Sequence, residues 1–402
     1  MKTKIRLQLS VMMFLEFFVW GSWFVTMGTY LGRSLGTDAE AVGTAYMTQA
    51  WGAIVAPFVV GLIADRYFAA QRMLGVIHLI GAALMYFIGN AADFAGFYPL
   101  LLAYMILYMP TLALANSVAF NQMKDPSRQF ARIRLWGTVG WIAAGMLIGY
   151  VLRWEATELL SYTFILASAS SLALGLFCFS LPHTPPGAKG SKISVGDVLG
   201  LEALRLLKAK NYLIFFVSSI LICIPLAFYF SFANPFLNEI GMEDAAGNMT
   251  FGQISEVLFM LLLPVFLNRY GLKWTLIAGM FAWGLRYVLF AFGDAGAGTW
   301  MLFAGILLHG ICYDFFFVSG QIFTDVKAGE KIRSSAQGLI TLATYGIGML
   351  IGYKVSGIIV DLYVAEGGHA WREIWLYPAG FSYLVLLFFV LFFKNEKVSY
   401  QA

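Results

Sequence analysis

The hexapeptide Gly145-Met146-Leu147-Ile148-Gly149-Tyr150 returns unchanged as Gly348-Met349-Leu350-Ile351-Gly352-Tyr353, an offset of 203 (from 145 to 348) in a chain of 402 residues. The same offset carries Asp65-Arg66-Tyr67 onto Asn268-Arg269-Tyr270 and Thr138 onto Thr341. Two matches at one offset, close to half the length, indicate a duplicated unit. Both copies of the hexapeptide lie inside long apolar runs, so the duplicated unit is one that meets lipid.

The rest of the chain agrees. Hydrophobic residues make up 60% and charged residues 12%, with a mean hydropathy of +0.76. Soluble domains carry about 25% charged residues. Crossing a hydrocarbon core of about 30 Å takes about 20 apolar residues in a helix. Such stretches fall near 6–31, 41–63, 73–91, 98–120, 134–153, 159–180, 211–237, 250–267, 274–292, 300–323, 335–363 and 374–393. They are continuous and not alternating, hence helices and not barrel strands. The expected fold is an all-α polytopic membrane protein of twelve transmembrane helices in two six-helix pseudo-repeats. Residues 1–180 form the N-terminal half, 181–210 a linker and 211–402 the C-terminal half. The first run follows Lys2, Lys4 and Arg6 but has no small-x-small cleavage site, and it reads as an uncleaved span.

Loop charge orients the chain. With a cytoplasmic N-terminus, 21 of the 26 Lys and Arg residues fall in cytoplasmic connections or at their edges; only Arg33, Arg153, Arg286, Lys354 and Arg372 do not. Both termini are expected in the cytoplasm. The longest such connection opens with Pro182, Pro185, Pro186 and Gly187. Its Val195–Lys208 stretch has leucines at helical spacing and is expected as an amphipathic helix on the membrane face.

Several function classes drop out. The net charge of +4 is small and shows no basic patch for nucleic acid. Cys178, Cys223 and Cys312 sit in apolar runs without CxxC spacing and read as small buried hydrophobes, not disulfides or metal ligands. Gly187-Ala-Lys-Gly-Ser-Lys192 lacks the spacing of a phosphate loop. Gly346-x-Gly348-x-x-x-Gly352 follows no strand, so it reads as small-residue helix packing and not a dinucleotide site. No nucleophile–base set, metal or cofactor is expected, and no enzymatic activity.

Gly61-Leu-Ile-Ala-Asp65-Arg66, in the loop after the second span, resembles the G-x-x-x-D-R signature of the major facilitator superfamily. The stretch around Arg269 resembles a degraded second copy. Mechanism is carried by ionisable residues inside spans: Glu16, His78, Glu256, Arg286, His309, Asp314 and Lys354. Such groups are costly in lipid and face protein or a wet cavity. Gln253 and Glu256 share a helix face, and Asp314 adjoins Tyr313. Trp20 and Trp23 are placed to stack on a planar ligand or, more simply, to pack.

A wider resemblance follows from an ordered set of strings. These are Leu15-Glu-Phe-Phe-Val-Trp20-Gly-Ser-Trp23, Tyr108-Met-Pro110, Ile133-Arg134-Leu-Trp136-Gly-Thr138 and Gln253-Ile-Ser-Glu256, then Tyr313-Asp314-Phe-Phe and Ser335-Ala-Gln337-Gly338. Together they resemble the bacterial nucleoside:H⁺ symporter family, a branch of the major facilitator superfamily, over essentially the whole chain. The resemblance implies proton-driven nucleoside uptake across the cytoplasmic membrane by alternating access. It assigns Arg134, Thr138, Gln253, Glu256, Tyr313 and Asp314 to the nucleoside site. Glu256 and Asp314 are the candidates for proton coupling. His309 stands where that family has an aromatic, and Ala227 and Phe230 stand where polar amides are expected. These departures leave a sugar or modified nucleoside as the alternative solute, and a non-transporting membrane receptor as the alternative class. The expected partners are the solute, H⁺ and the bilayer, with the chain acting as a monomer.

Overall fold

The structure is a computed structural model that describes residues 2–59, 67–123, 126–186 and 201–396. Two compact units form within it: Met1–Val198 with Glu243–Gly247, and Leu199–Met242 with Asn248–Ala402.

Unit 1 is built from α1 (Thr3–Gly21), α2 (Met27–Ser34), α3 (Ala39–Phe58), α4 (Ala70–Gly89), α5 (Phe94–Asn121), α6 (Pro126–Met146) and α7 (Tyr162–Cys178). A π-helical stretch, Leu147–Leu152, extends α6. Acidic caps set two of the starts: the Ala41 amide donates to Asp38 Oδ1 at 2.7 Å and the Gly96 amide to Asp93 Oδ1 at 2.8 Å. The core includes Leu9, Met12, Met13, Leu74, Leu114, Val118, Leu174 and Cys178. Helices α1 and α6 approach so closely that a Cβ on Gly140 would stand 2.1 Å from the Phe14 carbonyl oxygen. Only glycine fits there. Trp23, 1% exposed, is walled in by Phe24, Tyr104 and Phe164, so it is packing. Residues 243–247 close this unit: the Ala246 amide donates to Glu155 Oε2 at 2.7 Å, and Arg153 Nε donates to Asp244 Oδ1 at 3.0 Å.

Unit 2 holds α8 (Lys210–Glu239), most of α9 (Ala245–Phe292), α10 (Thr299–Leu307), α11 (His309–Cys312), α12 (Ser319–Thr341), α13 (Met349–Leu362) and α14 (Trp371–Phe392). Two π-helical stretches interrupt it, Tyr313–Val318 and Leu342–Gly348. At about 1.5 Å per residue, the 48 residues of α9 are more than twice the hydrocarbon thickness, and the helix turns back at Gly271 (φ 78°). That left-handed residue is why the chain carries glycine after Arg269-Tyr270. Gly329 (φ 66°) does the same inside α12. Gly348 and Gly352 pack where added Cβ atoms would meet Cys223 Cβ at 2.7 Å and Ala227 Cβ at 2.6 Å. The glycine run is therefore a helix-packing face, and Ala227 is its partner.

Among the described residues, eight helices are long and apolar enough to cross a membrane. One of these, α9, crosses twice. The α1–α2 pair, α3 and α7 supply three more, which makes twelve. All three cysteines are free and buried. The first six residues of the expected Val195–Lys208 helix lie outside the described residues. The described end, Leu201–Lys208, is a 3₁₀ helix whose Ala203 packs on Ile332, Ala336 and Leu339.

Candidate functional site

In unit 2 the site is built on a close crossing of α9 with α11. A Cβ on Gly310 would lie 2.6 Å from the Ser255 carbonyl oxygen and 2.7 Å from the Glu256 nitrogen. The Gly310 amide instead donates to Ser255 Oγ at 3.0 Å. This contact brings His309 Nε2 to 3.7 Å from Glu256 Oε2, close enough for charge interaction and longer than a hydrogen bond.

His309 stacks between neighbours along the chain and across it. Its ring centroid lies 5.4 Å from Tyr229 and 6.0 Å from Tyr313, both at 24°. Tyr313 is tied in turn to Tyr345, with phenolic oxygens 2.7 Å apart. Tyr229 also carries the Arg286 guanidinium 4.0 Å from its centroid. Arg286 is fully buried and donates from Nε to the Gly305 carbonyl at 3.0 Å, while Nη1 and Nη2 have no hydrogen-bond partner. Asp314 is fully buried, and neither carboxylate oxygen is hydrogen-bonded. His309 Nδ1 is likewise unsatisfied. Buried polar groups are almost always paired, so open valences on an arginine, a histidine and an aspartate within one helical bundle mark a functional region. Beside it, a cavity of about 20 Å³ is lined by Phe215, Ser219, Phe316, Gln321, Thr344 and Tyr345. That is room for about one water.

In unit 1 the Arg134 guanidinium lies 4.1 Å over the Phe17 ring. Thr138 follows four residues later on the same helix, α6, and so shares its face. Gln253 is half-buried one turn before Glu256. Thus Glu256, His309 and Tyr313 are brought together within unit 2, Asp314 lies next to Tyr313 inside the π-helical stretch Tyr313–Val318, and Arg134 with Thr138 form their own group in unit 1. Of the loop motif, Gly61, Asp65 and Arg66 lie outside the described residues. Arg269 lies 5.5 Å from the Tyr270 ring centroid. Sequence reasoning missed Tyr345. Arg286 lies on an aromatic face, a preference of guanidinium that sequence spacing does not reveal.

Twelve helices, a pseudo-repeat and membrane-buried polar groups with open valences define a multi-pass membrane protein of the major facilitator fold. The family profile described as nucleoside H⁺ symporter matches residues 1–398, and the chain belongs to that family, which is one of transporters and not of enzymes. It is 44% identical to YegT of Escherichia coli over 404 residues, covering 98% of this chain and 95% of YegT. It is 33% identical to the nucleoside permease NupG of Escherichia coli, covering 98% and 97%. The crystal structure of the nucleoside transporter NupG superposes with a TM-score of 0.88 at 33% identity, over 98% of this chain and all of that one.

Proposed function

We propose that this proton-coupled nucleoside symporter imports nucleosides across the bacterial cytoplasmic (inner) membrane as a monomer, with both termini in the cytoplasm. Residues 1–180 and 211–402 act as the two halves of an alternating-access cycle, and 181–210 links them. Arg134, Thr138, Gln253, Glu256, His309, Tyr313 and Asp314 contact the nucleoside. Carboxylates and amides suit ribose hydroxyls, and Tyr313 offers a planar face for a base. Asp314 and Glu256 couple protons. The observation that carries the reading is Asp314, wholly buried with both oxygens unpaired. A carboxyl in that position is stable when protonated and gains a partner only when the cycle opens it or brings a ligand.

The test is uptake of labelled uridine into proteoliposomes. An imposed inward proton gradient should drive accumulation, and an uncoupler should abolish it. Asp314→Asn, which keeps the shape of the neutral acid, should still exchange uridine yet fail to concentrate it. Dependence on Na⁺ in place of H⁺ would refute the coupling, and normal accumulation by Asp314→Asn and Glu256→Gln would remove both acids from it.

A further inference from the structure

Inside unit 1, apart from Glu256 and Asp314, a further acid is buried. Glu16 on α1 is 0% exposed and His78 on α4 is 1% exposed. Glu16 Oε2 lies 2.9 Å from His78 Nε2. The other ring nitrogen, Nδ1, lies 3.0 Å from Ser171 Oγ on α7. Ser171 Oγ in turn donates to the His78 carbonyl at 2.9 Å.

Hydrogen counting gives this pair two arrangements. The Ser171 hydroxyl has one hydrogen. Donated to the His78 carbonyl, it leaves a hydrogen on Nδ1 to make the 3.0 Å contact; donated to Nδ1, it leaves the imidazole hydrogen on Nε2, facing Glu16. In the first arrangement the 2.9 Å contact between Nε2 and Oε2 holds one further proton, and the pair has no net charge. In the second, His78 donates to a Glu16 carboxylate, and the pair carries one negative charge in the membrane interior.

Thr111 gives the proton a second station. Its single hydroxyl hydrogen has two acceptors in reach, Glu16 Oε1 at 2.6 Å and the Tyr108 carbonyl at 2.5 Å. When Thr111 donates to Tyr108, a proton on Oε1 can donate to Thr111. The Tyr108 hydroxyl donates to the Glu16 carbonyl at 2.7 Å. The titratable groups that feel the Glu16 charge are Tyr104 and Tyr108 from α5 and Cys178 from α7, and Arg134 from α6 acts on Tyr108. Arg134 packs on Phe17, the residue after Glu16. Tyr108, whose hydroxyl donates to the Glu16 carbonyl, feels the charges of both Glu16 and Arg134 and so joins the two.

We propose that Glu16 and His78 form a proton-carrying dyad in unit 1, distinct from Glu256 and Asp314, whose proton is released and rebound in each transport cycle. The proton leaves to solution as Glu16 becomes a carboxylate beside a neutral His78, and it returns from the opposite side. Ligand at Arg134 weakens that residue's hold on the carboxylate charge and so favours reprotonation. The proposal rests on the reading that this chain is a proton–nucleoside symporter with Arg134 at the nucleoside.

The test uses the full chain in proteoliposomes with labelled uridine. The slope of the accumulation ratio against the imposed pH difference gives the protons carried per uridine. Glu16→Gln and His78→Gln keep the size of each side chain and its capacity for hydrogen bonds. In each, accumulation should fall about tenfold per pH unit of gradient, the loss of one proton per uridine, while uridine counterflow at equal pH continues. A wild-type slope in both variants overturns the dyad. So does loss of counterflow in step with accumulation, which is the signature of a merely structural pair. If one variant does not fold, the other carries the test. Absence of gradient-driven accumulation in the wild type is a different failure, since it removes the symport reading and not the dyad alone.

Discussion

Tyr313 and Tyr345 meet through their phenolic oxygens at 2.7 Å, and each belongs to a π-helical stretch, one at the start of Tyr313–Val318 and the other within Leu342–Gly348. Widened turns of this kind mark functional positions in helices. Tyr345→Phe removes the hydrogen bond and keeps the ring. The net loss is about 0.5–1.5 kcal/mol. Thermal stability should fall by a few degrees, and uridine affinity should weaken about two- to tenfold as Tyr313 loses its anchor. Unchanged melting and affinity would show that Tyr345 does not position Tyr313.

Arg134→Ala, Gln253→Ala and Glu256→Ala should each weaken uridine binding. A hydrogen bond to a charged group contributes about 1.5–3 kcal/mol, or roughly ten- to a hundredfold in affinity. Isothermal titration or a thermal-shift series with uridine reads the effect. Wild-type affinity in all three would place the nucleoside elsewhere.

Gly310→Ala tests the crossing that holds Glu256 near His309. The added methyl meets the Ser255 carbonyl at 2.6 Å, and backbone cannot yield as a side chain can. Overpacking of this kind costs about 1–3 kcal/mol. The variant should melt earlier and lose transport out of proportion to its loss of folded protein. Gly338→Ala, with open space at its Cβ, is the control.

At the end of the described chain, Glu396 accepts a hydrogen bond from Lys327, and Asn211 Nδ2 donates to its Oε2 at 3.3 Å. Burial alone would raise the Glu396 carboxyl, but the hydrogen bonds from Lys327 and Asn211 and the Lys327 charge outweigh it, and the net shift is downward from 4.5. A carboxylate held below its ordinary value stabilises the fold above that value and loses the contribution as pH falls through the lowered one. Between about pH 6 and about pH 4 the contribution should therefore begin to fade. Glu396→Gln should melt earlier than wild type at about pH 6, with the gap narrowing toward about pH 4. A constant gap would mean that charge is not what ties the tail down.

Orientation is checked with single cysteines in a background lacking Cys178, Cys223 and Cys312. Lys208→Cys and Glu366→Cys both lie at exposed positions. On intact cells an impermeant thiol reagent should label the cysteine at 366 and spare the one at 208. The opposite pattern reverses the membrane orientation.

Much of the fold was legible because lipid imposes one rule on every span. The apolar runs mark the helices, and Gly346, Gly348 and Gly352 announce a packing face that indeed meets Cys223 and Ala227. Even the pass hidden inside α9 shows in the sequence as Arg269-Tyr270-Gly271. What could not be read were partnerships across the fold. Glu16 and His78 are 62 positions apart with no common motif, and Tyr345 looks like any other aromatic of an apolar run. The π-helical turns carry no periodic signal, since one extra residue in a helix changes neither composition nor hydropathy. Arg286 stands out in the sequence as a charge inside a span, but charge alone does not show that its guanidinium settles on an aromatic face.

The five residues 243–247 fold with unit 1, although the chain reaches them only after completing the first helix of unit 2. No single cut in the gene therefore separates the two units. A fragment ending at Val198 would leave the Glu155 carboxylate without the Ala246 amide and Arg153 without Asp244. It would also bare the backbone at Gly149, which in the whole chain lies so close to Gly247 that an added Cβ would stand 2.3 Å from its nitrogen. Fragments co-expressed from a break between spans six and seven can reassemble only by exchange, the second piece lending its loop to the first. The repeat in the sequence therefore does not divide the chain into two self-contained pieces.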